Sequence, residues 1–500
     1  MELRYAGNIG ISKMDNILFL FTDQWQGDAT GYAGHKVVRT PNLDRLAEKS
    51  VNFVNSFTVC PLCTPARAAI MTGLYPHQSG IIDNCDVGGS RQEYLPNSAY
   101  TWLDAMVGSG RKTGYFGKWH LGLHWQSSDK MVDFDICRIE SDRVKHETRT
   151  PKAPVTERGQ LDGATDLTQA KKSEDMYSPF YGKLDSLDDR FESKVAQRAM
   201  TFLEENREEP WCLTVSLVGP HFPNLNSEPF YSMYDNVDIT LPENFSDRFI
   251  GKPWYQNRKW WPAVCADHFD EWEWKKTIRA YYGSITMMDY YIGQILKKAA
   301  ECSGGRKTRV IFTADHGEMA GAHSRFDKAA YFYEEVLKTP LLVCEDLCGT
   351  QGGKINSAFC STMDVAQTFF TWAGAHAPNG TCLSEMKDCE VDGEQYHFSS
   401  YYKYNGHSFE IRTVRTRRYK YCFVPQDIDE LYDLQEDPYE LKNVSDDYRY
   451  TAIKEELRAR VFRHMEKTGD YLLTILNHLP QAGCLTAPDY PALKYDYEVI

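Results

Sequence analysis

Five hundred residues can bury a large core, and 70 acidic against 56 basic side chains leave a formal net charge of −14, which excludes the broad basic footprint of a nucleic-acid partner. No run approaches the roughly 20 apolar residues of a membrane span, and the opening MELRYAGNIGISKMDN carries no apolar stretch resembling a secretion signal. The 14 cysteines are scattered rather than densely spaced, so a soluble, cytoplasmic protein is expected, in which an anionic ligand needs a local cluster of cations.

Taken in chain order, short apolar runs recur at NILFLF (16–21), VNFVNSF (51–57), KTGYFG (112–117), WCLTVSLV (211–218), RVIFTA (309–314) and PLLVC (340–344). Continuous apolar runs suit strands buried on both faces of a mostly parallel sheet. Helical patterns fall at 40–50, 192–206 and 284–301. The fold expected is therefore α/β, a large mostly parallel sheet flanked by helices. The polar stretch near 123–190 and the region 225–275, with its tryptophan-crowded 254–274, read as insertions over that sheet. Residues 1–385 form the expected catalytic domain. Beyond it, alternating pieces and one helix near 449–467 suggest a smaller subdomain over 386–500, an antiparallel sheet with a helix.

Polar residues stand where the apolar runs end: Asp23 and Gln24 after the first, His221 after WCLTVSLV, Asp315 and His316 after RVIFTA. Ligands of open α/β sheets bind beyond the carboxyl ends of strands, so these endings are expected to meet in one crevice. Two carboxylates, an amide oxygen and an imidazole make a shell for one divalent cation. Taken singly, each is more often a cap or turn residue.

CPLCTPARAAIMTG (60–73) holds two cysteines three apart. Thr64 and Pro65 mark a helix start, which places Cys63 at a helix N-terminus, where partial positive charge favours an anionic nucleophile or an oxyanion. A buried pair, a metal half-site and a redox motif compete with that reading; a zinc site wants a second pair, and no second CxxC appears.

CTPARAAIMTG resembles the signature of the type I, formylglycine-dependent sulfatases of the alkaline phosphatase superfamily: Cys63, Pro65, Ala66, Arg67, Thr72 and Gly73 match it in order. The family's other blocks follow in sequence: FTDQ near the start, GKWHLG at 117–122, GPHFP at 219–223, TADHG at 313–317, FDKAAYFYEE at 326–335, and a closing RRYKY…ELYDLQEDPYELKNV. The likeness implies that a maturase converts Cys63 to formylglycine, whose hydrate takes the sulfo group on one hydroxyl and expels sulfate with the other. It further implies a metal shell of Asp23, Gln24, Asp315, His316 and residue 63. Arg67 would orient the nucleophile, and Lys118, His120, His221 and Lys328 would surround the sulfate, with His120 bonding the nucleophile and His221 protonating the leaving oxygen.

Two departures bear on chemistry. Many relatives have Asp at the position of Gln24 and Asn at that of His316, so calcium is the first expectation and manganese or magnesium the alternatives. The Asp-Gln and Asp-His pairs also resemble phosphonate monoester hydrolases of the same superfamily, against which the Lys118 and His120 pair speaks. For substrate, a sulfated carbohydrate is favoured over an aryl or choline sulfate. Trp254, Trp260, Trp261, Trp272 and Trp274 offer stacking surfaces for sugar rings, and Arg258, Lys259 and His268 offer charge; aromatic packing on the sheet weighs equally.

Overall fold

Strand β1 (Asn16–Asp23) has no polar face. It is buried along its length, with Ile17, Phe19 and Phe21 in one core and Leu18 and Leu20 in the other. Such a strand belongs inside a sheet covered on both sides. The computed structural model, which describes residues 14–85, 92, 94–96, 98–122, 181–257, 269–328, 330–350, 352–386, 393–404, 407–425 and 427–478, places it there. Its sheet has seven strands in the order β3-β5-β1-β7-β8-β2-β9. They are β2 (Val51–Phe57), β3 (Lys112–Gly117), β5 (Trp211–Pro220), β7 (Thr308–Ala314), β8 (Leu341–Cys344) and β9 (Lys354–Ser361), with β1 central. Every neighbouring pair is parallel except those of β8, which runs antiparallel to both β7 and β2. A second, two-stranded ribbon pairs β4 (Tyr181–Leu184) with β6 (Asn224–Ser227).

Helices cover both faces. On one side lie α1 (Pro41–Ala47), α4 (Phe191–Glu205) and α5 (Glu271–Glu301), whose Leu43, Val195 and Ile285 share one core with Leu18 and Leu20. On the other lie α2 (Cys63–Thr72), α3 (Trp102–Gly108) and α6 (Thr362–Trp372), whose Ile70, Trp102 and Phe369 meet Phe19. Helix α5 is longer than its 284–301 pattern predicts. It starts at Glu271 because the Asp270 side chain accepts from the Glu273 N–H while Glu273 reaches back, a capping box hidden among the tryptophans. Among the described helices, none is long and apolar enough to cross a membrane.

Strands β10 (His397–Tyr404), β11 (His407–Arg415), β12 (Tyr419–Phe423) and β13 (Glu430–Asp433) form a separate antiparallel sheet. One face packs Tyr401, Ile411 and Tyr432 against Phe57, Tyr331 and Tyr333; the other packs Val414, Tyr421 and Leu431 against Leu457 and Val461 of α7 (Thr451–Thr468).

This strand order positions the site. Because β3, β5, β1, β7 and β2 all run the same way, their carboxyl ends share one edge, and the residues that follow each are delivered to it.

Candidate active site

Helix α2 begins at Cys63, with Leu62 extended before it. The thiol is buried, 3.1 Å from His316 Nε2 and 3.7 Å from Asp23 Oδ1. Asp23, Cys63, Asp315 and His316 each offer one ligand atom, and those atoms all lie within 4.8 Å of one another. The strand ends therefore bring these side chains to one place, as expected. His316 Nδ1–H donates to the Gly317 carbonyl at 2.8 Å, which leaves Nε2 facing the two carboxylates. Hard oxygens with one imidazole nitrogen fit a divalent cation.

Arg67, one turn further along α2, lies between the carboxylates. Its Nε donates to Asp315 Oδ2 at 2.8 Å, and a second nitrogen reaches Asp23 Oδ2 at 3.3 Å. Its third nitrogen donates to the Lys118 carbonyl and Ser216 Oγ. Burial opposes ionisation of Asp23, but the Lys118, Arg67 and Lys328 charges outweigh it and hold its carboxyl well below the usual range.

The remaining nitrogen groups arrive from three segments. Lys118 follows β3 and its Nζ pairs with Asp23. The residue before it must be glycine: Gly117 has φ +103°, and a Cβ there would stand 1.9 Å from the Ser216 carbonyl oxygen. His120 Nδ1 is buried without a protein partner among the described residues. Desolvation, with Lys118 and Arg67 beside it, keeps His120 well below 6.5, hence neutral. Lys328 donates to Gln24 Oε1 and to His221 Nε2, both at 2.7 Å. Desolvation and Lys328 likewise hold His221 neutral. All ten residues singled out from the sequence meet at this edge. An acidic chain thus gathers Lys118, Arg67, His120, His221 and Lys328 around one pair of carboxylates.

Several residues here carried no sequence signal. Gln24 is in the left-handed region, φ +63°, which is rare for a side chain of its size. The turn is fixed by Asp315 Oδ1 accepting its N–H at 3.1 Å and by Tyr281 of α5, whose hydroxyl donates to its carbonyl at 3.0 Å. The start of α2 is braced by Asn84 Oδ1, which accepts from the Thr64 N–H, and by the Thr64 hydroxyl, which donates to the His120 carbonyl. Glu318 accepts from the Gln24 amide nitrogen; burial, with Asp327 near, pushes its carboxyl up to about 7. Only distant folding partners give these positions meaning.

The two thiols of the CxxC separate. Cys60 packs with Leu62, Tyr401 and Cys422 in the core under the second sheet, and burial pushes its thiol up, so it stays protonated. Trp274 is also core: it stacks on Phe326 at 4.5 Å. Trp254 and Trp272 are about half exposed. Arg258, Lys259, Trp260, Trp261, His268 and the stretch 123–180 lie outside the described residues.

The sulfatase family model matches residues 15–375, and a model of the C-terminal part of N-sulphoglucosamine sulphohydrolase matches 321–467. The ulvan-active sulfatase of Formosa agariphila is 28% identical, covering 96% of this chain and 86% of its own. A solved structure in complex with its substrate D-glucosamine-2-N,6-O-disulfate superposes with a TM-score of 0.70 at 19% identity, over 92% of this chain and 99% of that one. The phosphonate monoester hydrolase of Agrobacterium radiobacter superposes with a TM-score of 0.71 at 21% identity, over 91% and 96%. At these identities the structural likenesses speak for the fold alone, and they do so equally.

Proposed function

The chain belongs to the sulfatase family, and on that premise we propose that it releases inorganic sulfate from a sulfated carbohydrate, with residue 63 as nucleophile after a maturase has converted the cysteine to formylglycine. The observation that carries this is a buried Cys63 at a helix N-terminus, facing Asp23, Asp315 and His316 with Arg67 between the carboxylates. Support for the carbohydrate comes from the ulvan-active relative and from a relative named N-acetylglucosamine-6-O-sulfatase. Hydrated formylglycine supplies two hydroxyls, one to take the sulfo group and one to release it. Asp23, Gln24, Asp315 and His316 would hold a divalent cation, calcium first and manganese or magnesium as alternatives, which when bound supplies positive charge beside the reacting group.

This chain's own residues do the rest. Arg67 pairs with both carboxylates and holds them in place. Lys118 and Lys328 present charge to the sulfate, and His120 offers Nδ1, which has no partner among the described residues, to the nucleophile. The His221 and Lys328 nitrogens, 2.7 Å apart, share one proton. That proton rests on Lys328 in the free protein, because His221 is held neutral, and the leaving oxygen collects it from the pair. His221→Ala should therefore cost about 10²- to 10⁴-fold on a sugar sulfate and far less on a nitrophenyl sulfate, whose leaving group needs no proton. Equal losses on both would remove His221 from the acid role.

His316 gives a pH test. Burial disfavours its proton, but Asp315 and the Cys63 thiol outweigh that and push the imidazole up to about 9 in the cysteine form. A ligand nitrogen must shed that proton. Metal binding to the cysteine form at neutral pH is thus expected to release about one proton and to tighten about tenfold per pH unit up to that value. Calorimetry in two buffers of different ionisation heat counts it, and zero protons released would take His316 out of the shell.

The whole reading is tested by mass spectrometry of the Cys63 peptide from chain made with and without a maturase. Each preparation is then assayed on an N-acetylglucosamine sulfate, an aryl sulfate and a phosphonate monoester. Formylglycine with sulfate release is expected. Thiol under both conditions without sulfate release would sink the proposal, and cleavage of the phosphonate alone would replace it with the hydrolase to whose fold this chain is equally similar.

A further inference from the structure

Glu318 lies two residues beyond His316, and none of the roles above uses it. Its carboxylate is buried and has three partners. Oε2 accepts from Gln24 Nε2; Oε1 accepts from the Ala320 N–H at 3.0 Å and from the Asp327 N–H at 2.6 Å. On the other side of the same amide, Gln24 Oε1 accepts from Lys328 Nζ at 2.7 Å. Both Glu318 oxygens already act as acceptors, and Lys328 is a donor on the far side, whereas an amide has one accepting and one donating arm. Glu318 and Lys328 together therefore set which way the Gln24 amide points: nitrogen towards Glu318, oxygen towards Lys328 at the reaction edge.

The second anchor concerns the loop. Ala320 and Asp327 both lie in the left-handed region, φ +44° and +70°, a conformation that side-chain-bearing residues hold only when surrounding contacts impose it. Glu318 Oε1 binds both of their N–H groups, and the Met319 N–H donates to the Asp327 carbonyl at 3.1 Å. Lys328 is the next residue.

We infer that Glu318 is a positioning residue: its one carboxylate turns the Gln24 amide oxygen towards the cation shell and clamps the turn that delivers Lys328. The inference rests on the reading of Asp23, Gln24, Asp315 and His316 as that shell.

Glu318→Gln changes the chemistry with little change of shape. One oxygen remains for the Ala320 and Asp327 N–H groups, but the new amide turns its NH₂ against Gln24 Nε2. Two donors then face each other, and flipping Gln24 would only set its NH₂ against Lys328 Nζ, so the amide loses its fixed place and its oxygen is no longer held towards the cation. The exchanged pair Q24E/E318Q repairs this: a carboxylate at 24 accepts from the new amide and still presents oxygen.

The full chain in its cysteine form, stripped of metal, is titrated with Ca²⁺ and with Mn²⁺ by calorimetry, and metal-free melting is followed by circular dichroism. E318Q is expected to bind the cation about 10- to 100-fold more weakly than wild type, with its metal-free melt close to wild type. Q24E/E318Q is expected to recover most of that affinity. Wild-type affinity in E318Q overturns the inference, as does an exchanged pair no better than E318Q. Should E318Q fail to fold, the exchanged pair decides: folding with metal binding upholds the inference, and unfolding overturns it. A wild-type chain that binds neither cation overturns the shell reading, and this inference with it, whereas the other contrary results leave the shell reading standing.

Discussion

Cys63→Ala is expected to lower sulfate release by on the order of 10⁴-fold or more while leaving a folded chain. The side chain is small and packed, and Asp23, Asp315, His316 and Arg67 keep their own contacts without it. Only the nucleophile is lost. Cys63→Ser, kept from any maturase, makes the sharper comparison. Serine has one hydroxyl, so it can take a sulfo group but has no second hydroxyl with which to expel it. At most one equivalent of sulfate ester should be consumed, and mass spectrometry of the α2 peptide should show one added sulfo group. Multiple turnovers by the unconverted serine form would remove the two-hydroxyl mechanism.

Arg67→Ala should be the most destabilising change at the site, by about 3–5 kcal/mol, the usual cost of stripping the partner from a buried charge. Arg67 is 1% exposed and spans two carboxylates that are fully buried, and its guanidinium also lies 4.5 Å over the Phe21 ring. Removing it leaves Asp23 with Lys118 alone among the ion pairs it makes through Oδ2. Asp23 has a depressed folded pKa, so its ionic contribution to stability is present above the unfolded carboxylate value near pH 4 and is lost as pH falls towards the folded one. The deficit of R67A against wild type should therefore be full at neutral pH and shrink on acidification. Calcium or manganese should restore part of it by binding the folded form. Arg67→Lys keeps charge but lacks the planar fork that reaches both carboxylates, and should fall between. Denaturant melts across pH measure all of this, and a loss under about 1 kcal/mol for R67A would mean that the carboxylates do not depend on it.

The legible part of this protein was local. NILFLF is apolar at every position, and a strand without a polar face must be central; β1 is. Asp23, His221 and Asp315 end such runs, and strand ends are where ligands sit. Cys63 and Arg67 are four apart on a helix whose start Thr64 and Pro65 announce, so one turn separates the thiol from the guanidinium. These statements need only period, length and turn chemistry, which neighbouring residues fix.

What lay beyond reach depended on partners far along the chain. PLLVC reads like its neighbouring strands, yet β8 runs antiparallel, because direction is set by connections and not by composition. The tryptophans of 254–274 hid a capping box at Asp270, and Trp274 became core once Phe326 came against it. Tyr281, Asn84 and Glu318 look ordinary in sequence; they matter because the fold sets them against Gln24 and Thr64. The sequence alone determined which residue types stand at the strand ends and at the start of α2. Tertiary structure alone decided that Gln24 meets Lys328, 304 positions away, and that Glu318 turns its amide, because strand order brings those groups together and no local periodicity encodes it.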